Sequence, residues 1–344
     1  MSTKPGQLRL EQRAFPAPPN TGHVTVKVEA VSICDADAET PAGLVPGHEV
    51  VGTVVQTADD NEFRIGDRVG GGYHSGHCGT CELCRAGKHI LCKHQAVNGQ
   101  TRDGCFGEYA TLRTESLAKL PKQTKLSAAE IAPLLCPGVT VFNGIRNLGL
   151  EPGDSLLIQG IGSLGHLAIQ FASKLGLHVI VASRGTSKRQ LALDLGAKEF
   201  IDSEQQDLIK EVENRGGVAA AIALAPNAKS ITELVHCLRP DGVLALIAIP
   251  QEDPQIPVLP MVLKRLRIQA SPSGTGLDSE KAIKFALENN IKPIVDTYSF
   301  DNIQEAFDKM KTGSARFSKD KGKPHSNLMK TVRQKNFEHQ LKAK

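Results

Sequence analysis

The sequence predicts an α/β protein in which a β-rich domain precedes a doubly wound parallel sheet. Two patterns carry this. Residues 1–138 hold many short strand patterns broken by Gly and Pro, whereas strand and helix patterns alternate from 139 to 267. A third observation is the glycine run at 160–165, which closes one strand and opens one helix. A length of 344 residues with 40% hydrophobic content suits two domains with a core each.

In chain order, residues 24–28 alternate Val-Thr-Val-Lys-Val, a half-buried strand, and the apolar run 50–55 reads as a second. Strands follow at 155–159, 179–182 and 218–224, and another at 243–249 after the turn Pro240-Asp241-Gly242. Leu164, Leu167, Ala168, Phe171 and Leu175 recur at helical spacing behind the first of these. From 268 the chain is expected to return to the first domain, with helices near 279–289 and 303–312. The expected domains are thus 1–138, 139–267 and 268–317, with a tail at 318–344.

Four cysteines, Cys78, Cys81, Cys84 and Cys92, form C-x2-C-x2-C-x7-C. Thiolates at this spacing meet the tetrahedral demand of zinc, and a four-cysteine shell leaves no open position, so the cluster reads as a structural zinc lobe. Two disulfides are the competing reading, but nothing in the sequence suggests secretion. A second set is scattered: Cys34 after the first strand, His48 in Pro-Gly-His-Glu, and Cys136 in Cys-Pro-Gly-Val-Thr. Taken singly, each reads as an ordinary core residue. Together, two thiolates and an imidazole make the three-ligand set of a catalytic zinc that keeps one position open.

Gly160-Ile-Gly162-Ser163-Leu164-Gly165 stands between a strand and a helix, and a second strand follows about twelve residues later. That context is the dinucleotide fingerprint, in which glycines let the backbone approach a pyrophosphate seated on the helix N-terminus. An acidic residue past the second strand would select NAD. The chain has Ser183-Arg184-Gly185-Thr186-Ser187-Lys188 there, with no Asp or Glu before Asp194. Ser183, Arg184 and Lys188 suit the 2′-phosphate of NADP(H), which is favoured over NAD(H); a solvated basic loop is the competing reading.

From about Val24 to Phe317 the chain resembles the zinc-containing medium-chain dehydrogenase/reductase family, typified by alcohol dehydrogenases. The Gly-His-Glu around His48, the four-cysteine lobe, Cys-Pro-Gly-Val-Thr around Cys136 and the glycine fingerprint carry the resemblance. It implies a GroES-like catalytic domain and a Rossmann nucleotide-binding domain. It implies that Cys34, His48 and Cys136 hold a catalytic zinc, making two zinc ions per chain. It further implies Glu49 close to that metal, Asp37 steadying the His48 ring, and Thr140 near the nicotinamide end of the cofactor. The implied activity is hydride transfer between NADP(H) and an alcohol, aldehyde or ketone. The alternatives are reduction of activated C=C or C=N bonds, or a catalytically impaired homologue that binds zinc and cofactor.

Four departures from the family pattern bear on that activity. Ala36 stands where relatives carry a Ser or Thr that passes a proton to the substrate oxygen, and Asp35 where many carry His. The stretch from Cys34 to His48 is short, and the opening strand before Gly6 is expected to be missing. With 4% aromatic residues and no Trp, an aromatic clamp on a bulky ring is not expected.

No apolar run reaches 18 residues and no signal-peptide pattern opens the chain, so no membrane partner is expected and the location is expected to be cytoplasmic. Cys105 and Cys237 are given no ligand role. From Ser318 the sequence carries eight Lys or Arg against two acidic residues, about +6 on a chain of net +4. A disordered basic extension is expected there. Its charge is confined to the tail, so nucleic acid is not an expected partner. The expected partners are a small alcohol or carbonyl substrate and a second copy, in a homodimer or homotetramer.

Overall fold

The computed structural model describes residues 1–4, 6–58, 62–311 and 329–333. The chain divides into two compact units. One comprises residues 1–136, 274–287 and 292 onward; the other comprises 137–273 and 288–291.

The second unit is a six-stranded parallel sheet. Its order across the sheet is Glu199–Asp202, His178–Ser183, Ser155–Gln159, Val218–Ala223, Leu238–Leu246 and Arg267–Ala270. The order reverses between Ser155–Gln159 and Val218–Ala223, the switch point beside which open α/β sheets bind ligands at the carboxyl ends of their strands. Strand 155–159 is central and buried on both faces, which is why it reads as an unbroken apolar run: Leu156, Leu157 and Ile158 are fully buried. Helix Ser163–Lys174 returns over the sheet and buries Leu167, Ala168 and Phe171. Leu164 and Leu175 lie half-buried at its ends.

Two strands escape the sequence pattern. Glu199–Asp202 has only two apolar residues between acidic ends, and Arg267–Ala270 is a largely exposed edge strand, so neither carries a local apolar signal. Backbone pairing with a neighbour creates them.

The first unit is built on a seven-stranded sheet around His23–Ile33. That strand pairs with Glu49–Thr57 along most of its length. On its other edge it takes Tyr109–Arg113 against its first half and Met329–Arg333 against its second. Val24, Val26 and Val28 from this strand pack with Val50, Val54, Phe63, Leu112 and Phe307 in one apolar core.

Two expectations are corrected in this unit. An opening hairpin does precede the domain, with Ser2–Lys4 paired to Gln7–Leu8, and Ser2 is buried under hydrogen bonds to the backbone of Gly43 and Leu44. The segment from 318 is not disordered throughout. Met329–Arg333 is a strand, parallel to Val295–Ser299, with Val332 and Thr331 buried. The rest of 312–344 lies outside the described residues.

Candidate active site

The candidate metal ligands of the first unit are set by short turns between long strands. Cys34 follows directly on strand His23–Ile33, and a 3-10 turn, Asp35–Glu39, brings Asp37 back beneath it. His48 precedes strand Glu49–Thr57, which pairs with the strand that ends at Ile33. The pairing of Ser32 with Glu49 therefore sets Cys34 and His48 side by side. Cys136 lies between the 3-10 turn Ala132–Leu135 and the helix that begins at Pro137.

The four groups converge. One ligand atom each from Cys34, His48, Glu49 and Cys136 all lie within 4.8 Å of one another. Asp37 organises two of them: Oδ2 accepts the backbone N–H of Cys34 at 2.8 Å, and Oδ1 meets Nδ1 of His48 at 3.1 Å and the N–H of Gly47 at 3.2 Å. With Nδ1 engaged, Nε2 of His48 is a buried ring nitrogen without a hydrogen-bond partner, 3.8 Å from Oε1 of Glu49. Oε2 of Glu49 is likewise buried and unpartnered.

Electrostatically the cluster suits a cation. Its carboxylates and imidazole are about 1% to 2% exposed. Burial drives the Glu49 carboxyl up to about 7. Hydrogen bonding to Cys136 and burial hold the Cys34 thiol well above its ordinary range. For His48, burial pulls the ring down but Asp37 outweighs it, and the net direction is up. The two thiols and the Glu49 carboxyl resist ionising together in this pocket, and a divalent metal is the group that would let them. The free Nε2, fixed by a carboxylate on Nδ1, is the arrangement of a metal-ligating imidazole.

The lobe fits zinc by a separate test. A tetrahedron with Zn–S bonds of 2.3 Å has S···S edges of about 3.8 Å. The sulfurs of Cys78 and Cys84 are 4.0 Å apart, Cys81 and Cys92 3.9 Å, and Cys78 and Cys92 3.6 Å, with all four thiols unbridged. Backbone N–H groups of Cys81 and His94 donate to Cys78 and Cys92 at 3.3 Å, as thiolates require. The Cys81 amide, with Thr80, lowers the Cys78 thiol to about 5. His77 and His89 stack with centroids 4.0 Å apart, tying the two ends of the lobe together.

In the second unit the glycine run joins strand Ser155–Gln159 to helix Ser163–Lys174. Gly160 ends the strand, Gly162 precedes the helix, and Ser163 and Leu164 form its first turn. A Cβ on Gly165 would lie 2.1 Å from the Gly160 carbonyl oxygen, so only glycine lets the helix start this close to the strand. Nδ1 of His166 donates to the Gly162 carbonyl at 3.1 Å, bracing that start. Thr140 is buried in the helix Pro137–Arg146. Ser183 ends its strand and Arg184 is exposed beyond it. Lys188 is turned back onto the glycine loop, its ammonium donating to the Ile161 carbonyl at 2.8 Å.

Some contributors had no local sequence signal. Gln100 donates its amide N–H to the Ala36 carbonyl at 2.7 Å, Tyr73 stands edge-on to the His48 ring at 5.4 Å, and Asp202 binds the turn after Ser183. Each is a polar or aromatic residue in an unremarkable stretch, placed only by folding.

Residues 20–122 match the family model of the alcohol dehydrogenase GroES-like domain, and residues 163–288 that of the zinc-binding dehydrogenase. The alcohol dehydrogenase notN of Aspergillus sp. (strain MF297-2) is 36% identical over 307 residues, covering 87% of this chain and 90% of its own. The alcohol dehydrogenase patD of Penicillium expansum is 37% identical over 318 residues, covering 90% and 92%. Among solved structures, a cinnamyl alcohol dehydrogenase from Sorghum bicolor superposes with a TM-score of 0.80 at 25% identity, covering 92% of each chain. With these matches spanning both units, the chain belongs to the zinc-containing, alcohol dehydrogenase-like medium-chain dehydrogenase/reductases.

Proposed function

We propose that the protein is a zinc-dependent oxidoreductase that moves hydride between NADP(H) and an alcohol, aldehyde or ketone. The observation that carries this is the convergence of half-buried Cys34 and Cys136 on buried His48, whose outer ring nitrogen is unpartnered, in a chain that also holds the glycine fingerprint. Cys34, His48 and Cys136 would hold one zinc, and Cys78, Cys81, Cys84 and Cys92 another. When bound, the zinc would withdraw electrons from a substrate oxygen while the nicotinamide exchanges hydride with the adjacent carbon.

The chain's own groups prepare that chemistry. Asp37 keeps the His48 ring oriented and its Nδ1 occupied. Gly162, without a side chain, would leave room for the pyrophosphate at the helix start, and Gly165 lets that helix start close to the strand. Exposed Arg184 and the hydroxyl of Ser183 support a 2′-phosphate, and the turn offers no acid before Asp194. Thr140 is assigned to the nicotinamide end. Zinc content measured together with NADPH oxidation over a panel of aldehydes tests the reading. Zinc-replete protein that oxidises NADPH with none of them overturns it.

A second reading, reduction of activated C=C or C=N bonds, is favoured by Ala36. Its side chain offers no hydroxyl, so a proton for an alkoxide has no donor at this position. Product analysis with enals and imines separates the two.

A second copy is the proposed protein partner. Helix Val258–Leu263 exposes Val258, Leu259, Val262 and Leu263 by 70% or more, beside the unpaired edge of Arg267–Ala270. Such an apolar face on a free sheet edge supports edge-to-edge self-association. Size-exclusion chromatography with light scattering tests it, and a monomer at micromolar concentration would oppose it. No single helix among the described residues is long and apolar enough to cross a membrane. Eight unbridged cysteines support a reducing, cytoplasmic location.

A further inference from the structure

We infer that Asp202 is a positioning residue for cofactor discrimination, its buried carboxylate fixing the shape of the turn at 183–188 that reads the ribose 2′ position. The inference rests on the NADP(H) reading above and names a residue that never needs to touch the cofactor.

Asp202 ends strand Glu199–Asp202 and pairs directly with Ser183, the last residue of the adjacent strand. Its side chain is 3% exposed. Oδ1 accepts the Gly185 N–H at 2.7 Å and the Glu204 N–H at 3.0 Å. The backbone around it is also committed: Ser203 N–H donates to the Ser183 carbonyl at 3.1 Å, and Asp202 N–H to Oε1 of Gln206 at 3.1 Å. Gly185 has φ +67°, a left-handed conformation that a side chain would strain.

The turn is therefore tethered at two points. Asp202 holds its first half to the neighbouring strand, and Lys188 holds its second half to the glycine loop through Ile161. Between them Arg184, Thr186 and Ser187 are exposed, with the Thr186 carbonyl accepting the Arg189 N–H at 3.0 Å. Both tethers are charge-assisted, one through a carboxylate acceptor and one through an ammonium donor, and Asp202 adds a second bond, from the Glu204 N–H. Because it occupies the Gly185 N–H, that donor is withdrawn from any ligand. The guanidinium of Arg184 and the hydroxyl of Ser183 are left to grip a phosphate, from a backbone that no longer has to be ordered on binding.

A carboxylate here could instead act through its charge, by repelling a phosphate. The two roles differ in Asp202→Asn, which keeps an acceptor oxygen and loses the charge. The test is fluorescence titration of the full chain with NADPH and with NADH, for the parent, Asp202→Ala, Asp202→Asn and Asp202→Glu, with melting curves alongside. Positioning predicts that Asp202→Ala weakens NADPH about tenfold and NADH by less than about twofold. Asp202→Asn should stay within about twofold of the parent for both cofactors. Asp202→Glu, with its oxygen displaced, should lose NADPH selectively and serves if the alanine variant does not fold. Equal losses for both cofactors, no loss in either Asp202→Ala or Asp202→Glu, or tighter NADPH binding by Asp202→Asn would overturn the inference. A parent that prefers NADH would overturn the cofactor reading instead; the inference about Asp202 would still stand or fall on whether the ratio of the two affinities moves in the variants.

Discussion

Asp37 and His48 form a buried pair, Oδ1 to Nδ1 at 3.1 Å, and the other oxygen of the same carboxylate holds the Cys34 amide at 2.8 Å. One side chain thus fixes the orientation of an imidazole and the start of the turn that carries a thiol. Replacing it acts on two donors at once. Asp37→Ala is expected to weaken metal retention at the Cys34, His48 and Cys136 site by about 10- to 100-fold. The measurement is zinc retained after dialysis against a chelator. The lobe zinc should survive, so a variant that keeps two zinc ions under conditions where the parent does would contradict this role.

Metal stoichiometry is the next expectation. Elemental analysis should give two zinc ions per chain. Cys84→Ser should lower the melting temperature, because a structural zinc contributes directly to folding. Cys136→Ser should abolish turnover while most of the fold persists. A fully folded, freshly purified protein with one zinc or none would refute the two-site reading.

Arg184 should be the main 2′-phosphate partner. A charge-assisted hydrogen bond is worth about 1.5–3 kcal/mol. Arg184→Ala is accordingly expected to weaken NADPH by about ten- to a hundredfold and leave NADH nearly unchanged. Calorimetric titration of both cofactors decides it, and equal losses would make Arg184 structural.

Ala36 sets a limit on carbonyl reduction. General acid–base assistance is typically worth about 10²–10⁴-fold. Ala36→Thr should raise turnover on simple saturated aldehydes with little change in NADPH affinity. If the parent works mainly on C=C or C=N bonds, it should be active on enals or imines and the threonine should bring no gain. A parent already fast on saturated aldehydes, with an equally fast variant, would remove Ala36 as a handicap.

His166 gives a pH dependence of stability. Burial lowers its ring from 6.5 to about 4. The unfolded chain then binds this proton more readily than the folded one, so the contribution is present above about pH 6.5 and is lost as pH falls toward 4. Full loss corresponds to roughly 3 kcal/mol, with a limiting slope near 1.4 kcal/mol per pH unit. Urea unfolding of parent and His166→Gln at pH 7 and pH 5 should show the variant less sensitive to acid. Identical pH profiles would mean that this ring does not titrate differently on folding.

The sequence by itself determined whatever depends on neighbours along the chain. Four cysteines within fifteen residues can close on one ion without help from a distant segment. Gly160, Gly162 and Gly165 define one turn, and apolar runs such as 155–159 mark strands buried on both faces. The scattered donors Cys34, His48 and Cys136 were legible only through the resemblance of their surroundings. Their convergence depends on the register that sets Ser32 opposite Glu49. Tertiary structure alone decided the rest. Met329–Arg333 is a strand because two partners supply its hydrogen bonds, which its polar sequence does not announce. Glu199–Asp202 is too short for an apolar period, yet its last carboxylate holds the turn after Ser183 because parallel pairing puts Asp202 beside Ser183. Lys188 has the charge for a phosphate, but the fold brings the Ile161 carbonyl within 2.8 Å of it. Periodicity and spacing are local quantities, whereas the partner of a buried polar group is chosen by segments far away in sequence.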